Sequence, residues 1–242
     1  MSVMHIPPID NLIDNSTNIF KQYLLAQNAL KIGGDTISGF ADNALIGASV
    51  GINVEIEPIP VLEVKHYWST LPQFMLETFH GKLVLAWSEC LASLFILLVD
   101  KHFSGTRQFK ELKTCQLKID FREYTDFVDQ IKNSLSKNFD FDTYKDKIKL
   151  INSVLNPGNK RENELRNIHK HIQIRNSFQH KGGKIDEFFL QELGVQKISL
   201  LDNNSVEKEF MQDDIVKLSI PEFDLFRRSI VLVAQTWRQW NG

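Results

Sequence analysis

Arg175 and His180 lie within two helical turns of each other in the basic stretch Arg175-Asn176-Ser177-Phe178-Gln179-His180, which runs directly into Lys181-Gly182-Gly183-Lys184. These residue types supply what cleavage of an RNA phosphodiester needs at neutral pH: a fixed positive charge for the phosphate, and a group that can give or take a proton. In such a reaction a ribose 2′-OH attacks the adjacent phosphorus. His180 handles a proton, Arg175 neutralises the charge gathering on the phosphoryl oxygens, and Asn176 orients the histidine or the phosphate. DNA, which has no 2′-OH, would not be cut by this route. The same letters have a plainer reading, in which Arg175 and Asn176 bridge or cap helices and His180 rests at a helix C-terminus, favoured there by the macrodipole.

The surroundings of the motif are locally basic. Between Gly158 and Lys184 the chain carries Lys160, Arg161, Arg166, Lys170, Arg175, Lys181 and Lys184 against only Glu162 and Glu164. On the chemical reading Lys170, His171, Lys181 and Lys184 contact the RNA backbone; on the plainer one they form a solvated helix face. His169 and His171 stand two apart and so point to different faces of a helix, which argues against a shared metal and for surface or RNA-contacting histidines. No metal or cofactor is expected elsewhere. Gly34-Asp35-Thr36-Ile37-Ser38-Gly39 has the glycine spacing of a phosphate loop, but Phe40-Ala41 stands where Lys-Ser/Thr is required. Asp140-Phe141-Asp142 starts like a calcium loop, but Tyr144 and Lys145 occupy the next ligand and turn positions.

A helix over Glu162 to His180 must present the motif. At about 100° per residue its apolar stripe Leu165, Ile168, Ile172 continues into Arg175, Asn176 and Gln179, so the polar motif takes over a core-facing stripe. Ile174 and Phe178 face the other way, which predicts a helix covered on both sides, with a second subunit as one possible cover. Upstream, Ile9 to Lys31 has helical periodicity and ends at Gly33-Gly34, and 35–64 reads as an irregular arm with a short strand at Ile52 to Pro58. A long helix follows, from His66 or Pro72 to Lys101. Within it Leu83 to Val99 is apolar apart from Ser88 and Glu89. Glu89 needs a partner there, Arg175 or another core group.

Further helices are expected over Phe121 to Lys137 and Phe141 to Leu155, with a break at Asn156-Pro157-Gly158-Asn159. After the motif come a short helix, Ile185 to Leu193, and a hairpin of Gln196 to Leu201 with Asp214 to Ser219. The last helix starts at Ser219-Ile220-Pro221-Glu222, which has the form of a capping box, and runs to about Trp240.

The span from Asn163 to Leu193 resembles the HEPN superfamily, whose signature is an arginine, a polar residue, and a histidine four to six places after the arginine; here it reads R-N-x-x-x-H. Gly183 and the acidic Ile185-Asp186-Glu187-Phe188-Phe189 that follow, and the apolar helix Leu83 to Val99 with Glu89, are similar to the family's pattern as well. About two thirds of the chain is covered, and residues 1–65 match nothing named. The resemblance implies an all-α domain, an up-and-down helical bundle over residues 66–242; with the small β-hairpin near the C-terminus and the N-terminal helical and irregular extension over 1–65 read from the residue pattern, the expected fold is mainly α. The resemblance further implies a homodimer with both Arg/His motifs facing one cleft, and a metal-independent endoribonuclease of toxin–antitoxin or antiphage systems with an antitoxin or defence partner. The alternative is a catalytically silent relative that holds RNA, a nucleotide or a protein.

Composition bounds these readings. The chain has 242 residues, 43% of them hydrophobic, enough for one sizeable core. A net charge of −2 gives no global attraction to nucleic acid, which suits an enzyme with a local basic patch better than a coating protein. Cys90 and Cys115 are far apart, which fits a reducing cytosol. The opening residues lack the pattern of a secretory signal, and Leu83 to Val99, with Glu89 inside it, reads as a core helix in place of a membrane span.

Overall fold

The computed structural model describes residues 6–49, 55–112 and 126–239. Among them, helices dominate: α1 (Pro7–Ser38), α2 (Val61–Phe103), α3 (Phe127–Phe141), α4 (Tyr144–Leu155), α5 (Glu162–Lys181), α6 (Glu187–Leu193) and α7 (Ile220–Trp237). Two antiparallel hairpins complete the fold, β1 (Leu45–Ser49) with β2 (Glu55–Pro60), and β3 (Ile198–Leu201) with β4 (Glu207–Phe210). The fold is mainly α with a small hairpin near the C-terminus. Cys115, residues 52–54 and the first residues of the helix expected from Phe121 lie outside the described residues.

The spine is α2, whose 43 residues extend about 65 Å. Leu83, Trp87, Leu91, Leu94 and Leu98 recur at three- and four-residue spacing along it and are buried. Against it pack α1, α3, α4, α5 and α7. Trp87 stacks on Trp237 of α7, and each indole N–H finds an acceptor on α4: Trp87 donates to the Tyr144 hydroxyl at 3.1 Å and Trp237 to Asn152 at 3.1 Å. Cys90 is buried too, its thiol pushed up to about 12 by desolvation, so it behaves as a small apolar residue.

The first helix does not stop at Gly33-Gly34 as its sequence suggests; α1 continues to Ser38. The glycines serve packing. A Cβ on Gly33 would lie 2.6 Å from Cζ2 of Trp68, and one on Gly34 would lie 2.9 Å from its Nε1, so only glycine lets α1 come this close to the indole. Trp68 in turn donates from Nε1 to the Leu30 carbonyl at 2.9 Å. Ile9, Leu12 and Tyr23 of α1 are buried in the same core as α2 and α7, so this helix belongs to the body of the protein.

The break before α5 is as read: Asn156 bonds Asn152, the Lys160 carbonyl and the Lys160 amide, wrapping the turn in side-chain amides. The C-terminal hairpin differs from the sequence reading. Ile198–Leu201 pairs with Glu207–Phe210, because Asp202 accepts from the amides of Asn204 and Val206 and turns the chain there. The segment expected as its partner runs instead beside the residues after the motif: the Val216 amide donates to the Gly183 carbonyl and the Ile185 amide to the Asp214 carbonyl.

Candidate functional site

The motif occupies the last two turns of α5. Arg175 and Asn176 are half-buried, Ser177 is buried, and Gln179 and His180 are exposed. Closure of the helix requires glycine. Gly182 has φ 58 and Gly183 φ 83, the Gly183 amide bonds the Ser177 carbonyl, and a Cβ on Gly183 would lie 3.1 Å from the Phe178 ring.

Arg175 and Asn176 open into a cleft of about 280 Å³ built by α2, the end of α3, α4 and α5. Leu91, Phe139 and Ile172 form apolar lining; Ser88, Asp140 and Lys147 add polar groups. Arg175 reaches Asn176 Oδ1 at 3.4 Å, a long contact that leaves most guanidinium donors uncommitted by side chains among the described residues. Lys147 donates to the Asp140 carbonyl at 2.8 Å. The cleft therefore presents two cations above an apolar floor, an arrangement suited to an anion attached to a flat or apolar group. A larger hollow of about 840 Å³ lies around Phe95, Phe139 and Phe141, and no motif residue lines it.

His180 does not line the Arg175 cleft. Five residues beyond Arg175, it is turned about 140° around the helix and stands at the exposed end of α5. Within one chain, the arginine and histidine are presented by one helix, and of the two only the arginine lines the cleft. The two apolar sides of α5 are both covered by the chain itself, through α2, α6 and α7, with Ile174 fully buried and Phe178 partly so. A second subunit is not needed to cover them.

Lys170 and His171, read from sequence as RNA contacts, face inward. His171 is fully buried. Its Nε2 lies 3.0 Å from Glu222 Oε1 and its Nδ1 lies 3.1 Å from Nε2 of the equally buried His80. Lys170 donates to the same Glu222 oxygen at 2.8 Å and to the Ser199 carbonyl at 2.9 Å, while Glu222 Oε2 accepts from the Leu201 amide at 2.7 Å. Helix periodicity alone could not reveal this, since the partners lie on α2, α7 and β3.

Protonation follows from those partners. Burial alone would raise Glu222, but its bond from His171, the Lys170 charge and the Leu201 amide hold the carboxyl down at about 2. Burial drives His171 to about 4 against the pull of Glu222, and burial with the neighbouring His171 and Arg175 charges takes His80 well below its ordinary value. At neutral pH the cluster beside Lys170 is a carboxylate and two neutral imidazoles.

Lys181 pairs with Asp186, and Lys184 pairs with Asp213 at 2.8 Å. Both lysines are exposed, and surface pairs of this kind are weak enough to exchange for a phosphate. Glu89, expected to need a core partner, Arg175 or another group, sits instead on the exposed face of α2. Its apolar neighbours in sequence belong to the other faces of α2.

Sequence reading missed Glu222 and His80. Glu222 was hidden in the capping box at Ser219: the Ser219 hydroxyl does accept from the Glu222 amide at 3.1 Å, but the carboxylate turns away to His171. His80 was an ionisable residue in an apolar run, the kind of position that asks for a buried partner. No family model matches the chain, and no curated protein or solved structure matches it.

Proposed function

We propose that this protein is a metal-independent endoribonuclease of HEPN type, acting in the cytoplasm as a homodimer within a toxin–antitoxin or antiphage system. The observation that carries the reading is the shared cleft of Arg175 and Asn176, with Lys147 across from them and His180 exposed on the same helix. Arg175 holds the scissile phosphate and stabilises the charge that develops on it; His180 exchanges the proton with the 2′-OH or the leaving oxygen. Lys181 and Lys184 hold flanking phosphates.

Because Arg175 and His180 diverge on α5, the working centre is composite, with Arg175 from one chain and His180 from the other. The face of α2 beside the cleft supports such a pairing: Leu85 is 56% and Ile96 47% exposed, large apolar side chains left facing outward. A second reading is favoured by His180 having no side-chain partner among the described residues to orient it: the cleft binds RNA, a nucleotide or a protein without cutting.

Incubation of a mixed RNA pool with wild type, Arg175→Ala and His180→Ala separates the two. The enzyme reading expects cleavage by wild type in the presence of EDTA, 2′,3′-cyclic phosphate ends, and a loss of about 10²–10⁴-fold in rate for His180→Ala. An inert wild type whose RNA binding falls on Arg175→Ala supports the silent reading. Activity that needs added magnesium or manganese rejects the chemistry.

A further inference from the structure

Next to the Arg175 cleft, one turn before Val84 on α2, a chain of three buried side chains ends in an atom with no hydrogen-bond partner among the described residues. Glu222 is ionised and can only accept, so His171 carries its hydrogen on Nε2. A neutral imidazole has one N–H; His171 Nδ1 is then the acceptor, and His80 donates to it from Nε2. His80 Nδ1 is left as a bare lone pair. It is fully buried and has no hydrogen-bond partner among the described residues.

Buried acceptors in folded proteins have a donor, from the protein or from a water. His171 and Arg175 are four apart on α5 and therefore on one face, and His80 and Val84 have the same relation on α2. His80 meets His171 on one turn, while Val84 and Arg175 both line the cleft on the next. Long side chains on a helix lean back over the preceding turn, which carries the Arg175 stem toward the two histidines. The Arg175 and Glu222 charges also bear on His80; Lys170 is tied to Glu222 on the far side.

We propose that His80 is a positioning residue for Arg175: its unprotonated Nδ1 receives a guanidinium N–H of Arg175 through one bridging water and fixes the direction in which the guanidinium faces an anion in the cleft. Glu222 and His171 set the tautomer that makes this possible. The inference rests on the proposed function only in taking Arg175 as the anion-binding group.

The test combines a spectroscopic readout with binding. Two-bond proton–nitrogen correlation of the histidine rings should show His80 in the Nε2–H form. Its Nδ1 signal should move in Arg175→Gln and again on titration of wild type with inorganic phosphate, while the exposed His66 stays still. Binding of a 2′-O-methylated single-stranded RNA, which cannot be cut, should weaken about tenfold in His80→Phe and be largely restored in His80→Gln, whose amide offers a donor and an acceptor. Circular dichroism establishes that each variant is folded. A His80 found in the Nδ1–H form, or an Nδ1 signal indifferent to Arg175→Gln, overturns the proposal even where His80→Phe fails to fold. Equal RNA affinity of folded His80→Phe and wild type overturns it as well. If wild type binds no RNA, the proposed function fails, and the response of His80 Nδ1 to Arg175→Gln still decides the positioning role.

Discussion

Glu222 Oε1 and His171 Nε2 meet at 3.0 Å where neither side chain reaches solvent, although 51 residues separate them in sequence. A carboxylate in such a place costs several kcal/mol unless fully bonded. Here it takes donors from His171, Lys170 and the Leu201 amide, which tie α5, α7 and β3 to one another. The bond thus anchors the helix that carries the motif, and it does so behind the motif.

Acid should loosen this anchor. His171 and His80 have folded pKa values below the unfolded value of about 6.5, so between the folded and unfolded values the unfolded chain binds more protons. Their contribution is fully present above about pH 6.5 and is lost as pH falls toward about 4, the folded value of His171. Glu222, depressed to about 2, acts in the same direction at lower pH. Urea midpoints measured from pH 8 to pH 4 should fall below pH 6.5 by an amount equivalent to a few kcal/mol. A flat profile between pH 6.5 and 4.5 contradicts the buried neutral histidines.

Removing the charge of Glu222 should be costly. Glu222→Gln strands the Lys170 ammonium and breaks the tautomer order of His171, and breaking a buried ion pair typically costs 3–5 kcal/mol. For a chain of this length that corresponds to a fall in Tm on the order of 10 °C. Glu222→Gln should also flatten the lower end of the acid profile. A variant as stable as wild type means the carboxylate is not the hub of the cluster.

The contrast between these buried groups and the motif shows what one strand of letters can disclose. The helix carrying Arg175 and His180, its start near Glu162 and its glycine stop were legible because they depend on residues adjacent in sequence. So were the turn at Asn156 and the start of α7 at Ser219. The inward direction of Lys170 and His171 was not legible, since it is decided by Glu222 and His80 on other helices. The exposure of Glu89 was hidden for the same reason: an apolar helix packed by five others leaves only a narrow outer face, and sequence does not say which residue falls on it. The hairpin partner was missed because a polar turn at Asp202 closes it after only a few residues, and the stronger β pattern further on was used elsewhere.

Gly33 offers a cleaner case of sequence overruled by packing. In an isolated helix Gly→Ala is stabilising by about 1 kcal/mol. Here the new Cβ would meet the Trp68 indole, which is held by its bond to Leu30, so Gly33→Ala should destabilise the protein by about 1 kcal/mol or more. In a Trp68→Ala background the obstacle is gone, and the same substitution should become neutral or stabilising. Chemical denaturation of the four proteins of this double-mutant cycle reads the coupling. Additive effects would mean that the glycines are not there for the indole.

The composite centre makes a demand that a single-chain site does not. If Arg175 of one chain works with His180 of the other, Arg175→Ala and His180→Ala homodimers are both crippled at every site. Mixed dimers of the two are different: one of their two sites combines the intact Arg175 of the His180→Ala chain with the intact His180 of the Arg175→Ala chain. With free exchange about half of the dimers are mixed, and half of their sites are whole, so an equimolar mixture should recover about one quarter of wild-type cleavage. Light scattering establishes the dimer, and the recovered activity should appear on the timescale of subunit exchange. Were Arg175 and His180 to act within one chain, no mixed dimer would contain a whole site, and the mixture would stay as inactive as its components.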